Sequence, residues 1–222
     1  MQKLLDRPVP ADPAPDLPRR GRGRLRAVEV QALEADLIAA AREAFTTLGY
    51  GATSMAALAR QAGVSKTTLY AKYPTKAALF RAVIDQQLDR GYGAVTEGEA
   101  PGALADGLGR LAETTLLAAL SPENVRLNRL VDWEAQRFPE VAEAARARAR
   151  ISIDHIARYI RDFADRDGVP CRDPEAAARI FSFMVRGLYY DASLGVGSAG
   201  PRAVRATVKR IVADFLASRP SW

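Results

Sequence analysis

Between residues 28 and 48 the apolar positions Leu37, Ile38, Ala41, Phe45 and Leu48 recur at intervals of three and four, and Gly49 follows as a stop. That is the spacing of one face of a helix. A second, shorter helix carries Met55, Leu58, Ala59 and Ala62 on one face. Thr53 or Ser54 is suited to cap its start and Gly63 to end it at positive φ. Ser65 then caps a third short helix holding Leu69 and Tyr70, and Pro74-Thr75 breaks that helix and starts a fourth through Leu79, Phe80, Val83, Ile84 and Leu88. Beyond the glycines at 98 and 102, periodicity predicts helices over 102–120, 122–136, 139–166, 173–194 and 200–218. Pro101, Pro122, Pro139, Pro174 and Pro201 stand near their starts, where a missing N–H costs little. No fixed-period repeat or sheet pattern interrupts the series, so the fold class is all-α.

Composition narrows the chemistry. The chain has 222 residues, one cysteine (Cys171) and one histidine. A lone cysteine excludes an internal disulfide framework and a cysteine-rich metal site, suits a reducing cytosol, and has its simplest role as an inert small side chain. Without a glycine-rich phosphate loop or clustered metal ligands, the usual catalytic constellations lack parts, and Asp132 and Glu134, two apart on a predicted helix, diverge. Catalytic residues, cofactors and metals are therefore expected to be none. No run approaches the ~18 apolar residues that span a bilayer, and the N-terminus lacks the apolar core of a secretory signal, so a soluble, cytoplasmic protein without membrane contact is expected.

Charge changes the picture because it is local. The net charge is +6, of which +5 falls in residues 1–92 and +1 in the remainder. Residues 1–18 contain five prolines and little apolar periodicity, so they read as a disordered tail. In Arg19-Arg20-Gly21-Arg22-Gly23-Arg24-Leu25-Arg26, arginines alternate with glycines that let backbone approach another surface. Arg22, Arg24 and Arg26 suit an arm entering a DNA minor groove; the same segment would also serve as a solubilising leader.

The run from Thr53 to Tyr70 has a mechanical reading as a helix-turn-helix. Small Ala59 permits close approach, Gly63 makes the turn, and Val64, Leu58 and Leu69 fill the space between the two helices. Ser65, Lys66, Thr67 and Thr68 then face outward at the N-terminus of the second helix, short or basic enough to meet phosphates and base edges in a major groove. A plain αα-hairpin with a glycine turn has the same outline. Against it stand Lys66, Lys72, Lys76 and the arginine arm, all gathered around one short helix.

These residues, with the continuation Tyr70-Ala71-Lys72-Tyr73-Pro74-Thr75-Lys76-Ala77-Ala78-Leu79-Phe80, resemble the TetR family of transcriptional regulators over roughly residues 30–85. The resemblance implies phosphate contacts from Thr53, Ser54, Ser65, Lys66, Thr68, Tyr70, Lys72 and Lys76. Thr67 and Thr68 become candidates for base reading, and Tyr73 a packing residue beneath the recognition helix. Thr67 stands where a small residue is common, and Ala77-Ala78 replace a frequent acid, departures that bear on the operator sequence. The implied organisation is a tail and arm over 1–27, a DNA-binding domain over 28–75, and a ligand-binding and dimerisation domain over 76–222.

Within that last part, Leu127 to Val141 resembles the C-terminal domain of AefR-like and AcrR-like members. Ala177, Ile180, Phe181, Met184, Val185 and Leu188, with Val204, Val208, Ile211, Val212, Phe215 and Leu216, form broad apolar faces on two helices suited to a four-helix homodimer interface, or alternatively to the monomer core. Leu116, Leu120, Leu130, Trp133, Phe138, His155, Tyr159 and Phe163 are candidates to line an effector pocket, although aromatics at helical spacing more often fill a core. The resulting expectation is a repressor of double-stranded operator DNA whose affinity an unidentified small molecule lowers by wedging beside the middle helices. A helical adaptor or architectural DNA binder without ligand response is the competing class.

Overall fold

The computed structural model describes residues 27–96, 104–167, 170–196 and 200–219, with the side chains of 27–32, 87–96 and 165–167 excepted. Among these residues the secondary structure is helical throughout: α1 Ala27–Leu48, α2 Met55–Gln61, α3 Lys66–Lys72, α4 Lys76–Thr96, α5 Leu104–Ala119, α6 Pro122–Glu134, α7 Pro139–Asp167, α8 Pro174–Ser193 and α9 Pro201–Ala217. Four helices, α6 to α9, begin on proline itself. Ser121 and Asp173 cap two of them by accepting from the backbone N–H of Asn124 and Ala176. Gly49 ends α1 at φ +86° and Gly63 ends the α2 turn at φ +66°, conformations that glycine adopts without a Cβ penalty. None of the described helices is long and apolar enough to cross a membrane.

Two apolar clusters organise the helices. The first gathers Leu37, Ile38, Ala41 and Phe45 of α1, Leu58 of α2, Leu69 of α3, and Leu79, Phe80, Val83 and Ile84 of α4, and is completed by Leu127 of α6 and Val141 and Ala144 of α7. The second joins α5, the later half of α7, α8 and α9 through Leu108, Leu116, Ile160, Phe181, Val208 and Phe215, among others. With 29 residues, α7 is about 43 Å long and reaches both clusters. Each fully buried Phe or Leu contributes about 1.5–3 kcal/mol. Packing around the helix-turn-helix therefore does not stop at Thr75, since α4 supplies four of its buried side chains.

The apolar faces of α8 and α9 also serve the chain's own core. Phe181, Val208, Val212 and Phe215 are buried within the chain's own second cluster, while Met184, Val185, Leu188 and Ile211 pack against it. Phe181 and Phe215 meet with ring centroids 5.1 Å apart. Phe181, Val208, Val212 and Phe215 thus seal α8 and α9 onto α5 and α7, while Met184, Val185, Leu188 and Ile211 stay half-buried at the edge of that contact. α8 also leaves apolar side chains outside, at Ile180, Phe183 and Tyr190, which are 53%, 65% and 43% exposed.

Candidate nucleic-acid interface

The turn between α2 and α3 is closed by backbone bonds from Gly63 N–H to the Arg60 carbonyl (3.3 Å) and from Val64 N–H to the Ala59 carbonyl (2.9 Å). Leu58, Ala59 and Leu69 are each 1% exposed, and this shared core fixes the angle between the two helices. Ser65 caps α3 by accepting from the Thr68 N–H at 3.0 Å, and the two hydroxyls meet at 2.8 Å. Leu69 alone of the seven α3 residues is buried, so Lys66, Thr67, Thr68 and Tyr70 all lie on the exposed surface. An element this short, with one anchor and a polar remainder, is shaped for presentation.

Other candidates divide according to what they touch. Ser54 is exposed at the N-cap position of α2 and its hydroxyl makes no capping bond. Its neighbour Thr53 is buried and donates to the Gly49 carbonyl at 2.7 Å, which turns its hydroxyl inward rather than toward a phosphate. Lys76 is engaged within the chain: its Nζ donates to the carbonyls of Tyr50 (2.7 Å), Gly51 (3.1 Å) and Thr53 (3.3 Å), which occupies all three ammonium donors. Lys72 is paired with Glu34. Glu34 also accepts from the Tyr73 hydroxyl at 3.0 Å, in line with the packing role implied for that tyrosine. The Lys72 hydrogen bond holds the Glu34 carboxyl below its ordinary range, and burial, with the Glu34 bond adding to it, pushes the Tyr73 phenol up to about 12. Arg22, Arg24 and Arg26 lie outside the described residues.

Sequence reasoning gives no site role to three acids, Glu34, Glu134 and Glu140, and weighs Glu134 only as a partner for Asp132. The bonds from Tyr50 to Glu134 and Glu140 join residues 84 and 90 apart, a separation that leaves no local pattern to read.

The candidates for an effector pocket do not come together. Leu130 and Phe138 pack on the first cluster, where Phe138 meets Tyr50 edge-on at 5.1 Å. Leu116, Leu120, Tyr159 and Phe163 belong to or pack on the second. Trp133 is 76% exposed and lines no interior, and His155 is half-buried on α7. The periodicity that suggested a lining reflects two separate cores. An open depression of about 500 Å³ at the α5–α6 turn, lined by Ala118, Ser121, Pro122, Glu123, Asn124 and Arg126, shares no residue with that set.

Residues 37–83 match the family described as bacterial regulatory proteins, tetR family, and residues 106–218, more than half of the chain, match the AefR-like transcriptional repressor C-terminal domain. Over 105 residues the chain is 29% identical to the HTH-type transcriptional regulator YezE of Bacillus subtilis, covering 47% of this chain and about half (54%) of that relative's length. A TetR-family regulator from Mesorhizobium loti MAFF303099 superposes with a TM-score of 0.66 at 25% identity, over 84% of this chain and 96% of that one. The Flavonoid-responsive Regulator FrrA does so with a TM-score of 0.66 at 28% identity, over 85% and 97%. All three relatives are regulators, the first two of them transcriptional. An outward-facing α3 on a braced helix-turn-helix, followed by an AefR-type helical domain over more than half of its length, makes this chain a member of the TetR family of DNA-binding transcriptional regulators.

Proposed function

We propose that the chain is a cytoplasmic, homodimeric repressor that holds a near-palindromic operator with α3 of each protomer and releases it when a small molecule binds among the C-terminal helices. The observation that carries this reading is the outward face of α3, where Lys66, Thr67, Thr68 and Tyr70 stand exposed, with Ser54 exposed at the start of α2. In this reading Ser54, Ser65, Lys66 and Tyr70 contact phosphates, and Thr67 and Thr68 approach base edges. Lys72 joins them by exchanging Glu34 for a phosphate. The arginine arm adds minor-groove charge.

Dimerisation is assigned to the exposed stripe of α8. Ile180, Phe183 and Tyr190, with Gly187 between them, follow one helical face, and an apolar stripe of this kind marks an interaction surface. A two-fold axis through it would set the two recognition helices about one DNA turn apart. The effector role draws support from the likeness to a flavonoid-responsive regulator. It draws further support from a polar chain between α6, α7 and α8, where Arg148 donates to Asn128 at 3.0 Å and Asn128 donates to the Tyr189 hydroxyl at 3.2 Å. A coupling of ~1–3 kcal/mol changes operator affinity by roughly 5- to 150-fold.

The test is fluorescence anisotropy on the intergenic DNA beside the protein's own gene, at several salt concentrations, with Lys66→Ala and Tyr70→Ala alongside. Tight binding that both substitutions weaken supports the reading. Equal binding of wild type and variants to all DNA would sink it, and specific binding that no small molecule relieves would favour the adaptor.

A further inference from the structure

We propose that Glu134 is a positioning residue for DNA binding: from the C-terminal end of α6 it holds the α1–α2 turn, and it carries movement of the α6–α7 corner to the recognition helix. The inference rests on the DNA-binding reading given above.

Glu134 is 6% exposed, and its Oε1 accepts from the backbone N–H of Tyr50 at 3.1 Å. Its second oxygen, also buried, has no hydrogen-bond partner among the described residues, so the contact with Tyr50 is the one this carboxylate serves. A buried acid held by a single backbone N–H is costly unless that bond is kept. The turn has been shaped to accept it: a Cβ on Gly49 would stand 2.9 Å from the same oxygen. Phe138 and Glu140 join it from the far side of the corner, Phe138 through ring contact with Tyr50 and Glu140 by accepting from the Tyr50 hydroxyl at 3.1 Å.

The same residue is the pivot of the corner. The backbone carbonyl of Glu134 accepts from the N–H groups of both Arg137 and Phe138, each at 2.9 Å, and so closes the bend that joins α6 to α7. Any tilt of α7 against α6 must therefore act at Glu134, and through its side chain at Tyr50. Four residues later Ser54 opens α2, whose Leu58 and Ala59 share a core with Leu69 of α3. A displaced Tyr50 thus moves Ser54 and α3 together, as packed elements shift as units.

Operator affinity is measured by anisotropy for wild type, Glu134→Ala, Glu134→Asp and Glu134→Gln, each well below its own melting temperature and with its helicity checked by circular dichroism. Ala removes the acceptor and Asp withdraws it by one methylene, so both weaken operator binding by about 10-fold or more. Gln keeps an acceptor oxygen and stays within about 3-fold of wild type. Amide exchange at Tyr50 accelerates in the first two variants and not in the third. Folded Ala and Asp variants that bind operator like wild type, whatever their melting temperatures, would overturn the inference, as would a Gln variant as weak as Ala. Failure of wild type itself to prefer the operator removes the DNA-binding reading instead, and shows before any variant is compared.

Discussion

The Nζ of Lys76 lies 2.7 Å from the carbonyl oxygen of Tyr50 and 4.5 Å from the centre of that residue's ring. With Gly51 and Thr53 also as acceptors, this ammonium is an internal strut across the α1–α2 turn. Lys66 on α3 is exposed. Two lysines of one basic motif should therefore fail differently. Lys76→Ala is expected to lower stability by about 1–3 kcal/mol, seen in denaturant titration. Lys66→Ala should leave stability within about 0.5 kcal/mol and reduce the salt slope of operator binding by about 1. An unchanged denaturation midpoint for Lys76→Ala would refute the strut.

Tyr73 supplies a pH signature. Its phenol, 7% exposed, is pushed up to about 12 by burial and then by the bond to Glu34. A raised pKa means that the folded state holds the proton longer. The associated stability is complete below the unfolded value of about 10 and is lost as pH rises through the folded one. Urea midpoints should fall between about pH 10 and 12, and Tyr73→Phe should flatten much of that fall. Glu34 works in the opposite direction, because its carboxyl is held low by Lys72. Its contribution is present above the ordinary glutamate value of about 4.3 and disappears as pH falls through its lowered value. Glu34→Gln should remove that acid-side loss, and an unaltered profile in both variants would argue against the network.

On α8, residues two apart should give opposite phenotypes. Phe181 is 1% exposed and Phe183 is 65% exposed. Phe181→Ala is expected to cost about 3–5 kcal/mol of stability through the cavity it leaves. Phe183→Arg should leave the fold intact and yield monomers in analytical ultracentrifugation, with operator affinity falling alongside. A Phe183→Arg protein that remains dimeric would move the interface elsewhere.

Gly107 on α5 is a contact glycine. A Cβ built there would fall 1.3 Å from the Tyr159 hydroxyl oxygen, 2.0 Å from Cζ and 2.6 Å from Cε1. Tyr159, whose ring lies 4.7 Å from that of Phe163, would have to leave its place. Gly107→Ala, ordinarily favourable within a helix, should here destabilise by about 1–3 kcal/mol in thermal or chemical melts. A stabilised variant would mean that Tyr159 rotates away at no cost.

Local physics was legible in the sequence. Pro122, Pro139, Pro174 and Pro201 each open a helix, and Gly49 and Gly63 take the positive φ their positions require, because these constraints act within a few residues. Side-chain destinations across the fold were less legible. Periodicity puts Phe181 and Phe183 on opposite sides of α8, and packing against the neighbouring helices decides which side is covered. Thr53 and Ser54 are adjacent hydroxyls at one helix start, yet a single bond to Gly49 sends the first inward. The aromatic residues assigned to one pocket were split because α7 is long enough to serve two cores. Lys76 looked like its basic neighbours until three carbonyls 23 to 26 residues upstream claimed its donors.

Leu127, Phe138, Val141 and Ala144 complete or pack on the cluster beneath the helix-turn-helix, although they follow it by more than fifty residues. The consequence concerns modularity. A hybrid regulator that joined residues up to 83 to the effector domain of another protein would cut through this core, exposing the floor of Tyr50 and Phe80. A functional graft has to carry the α6–α7 corner with the reading head or rebuild its complement in the recipient. Under the DNA reading proposed above, exchange of operator specificity is simplest on the surface of α3, where Lys66, Thr67 and Tyr70 are exposed and can be altered without disturbing that shared floor.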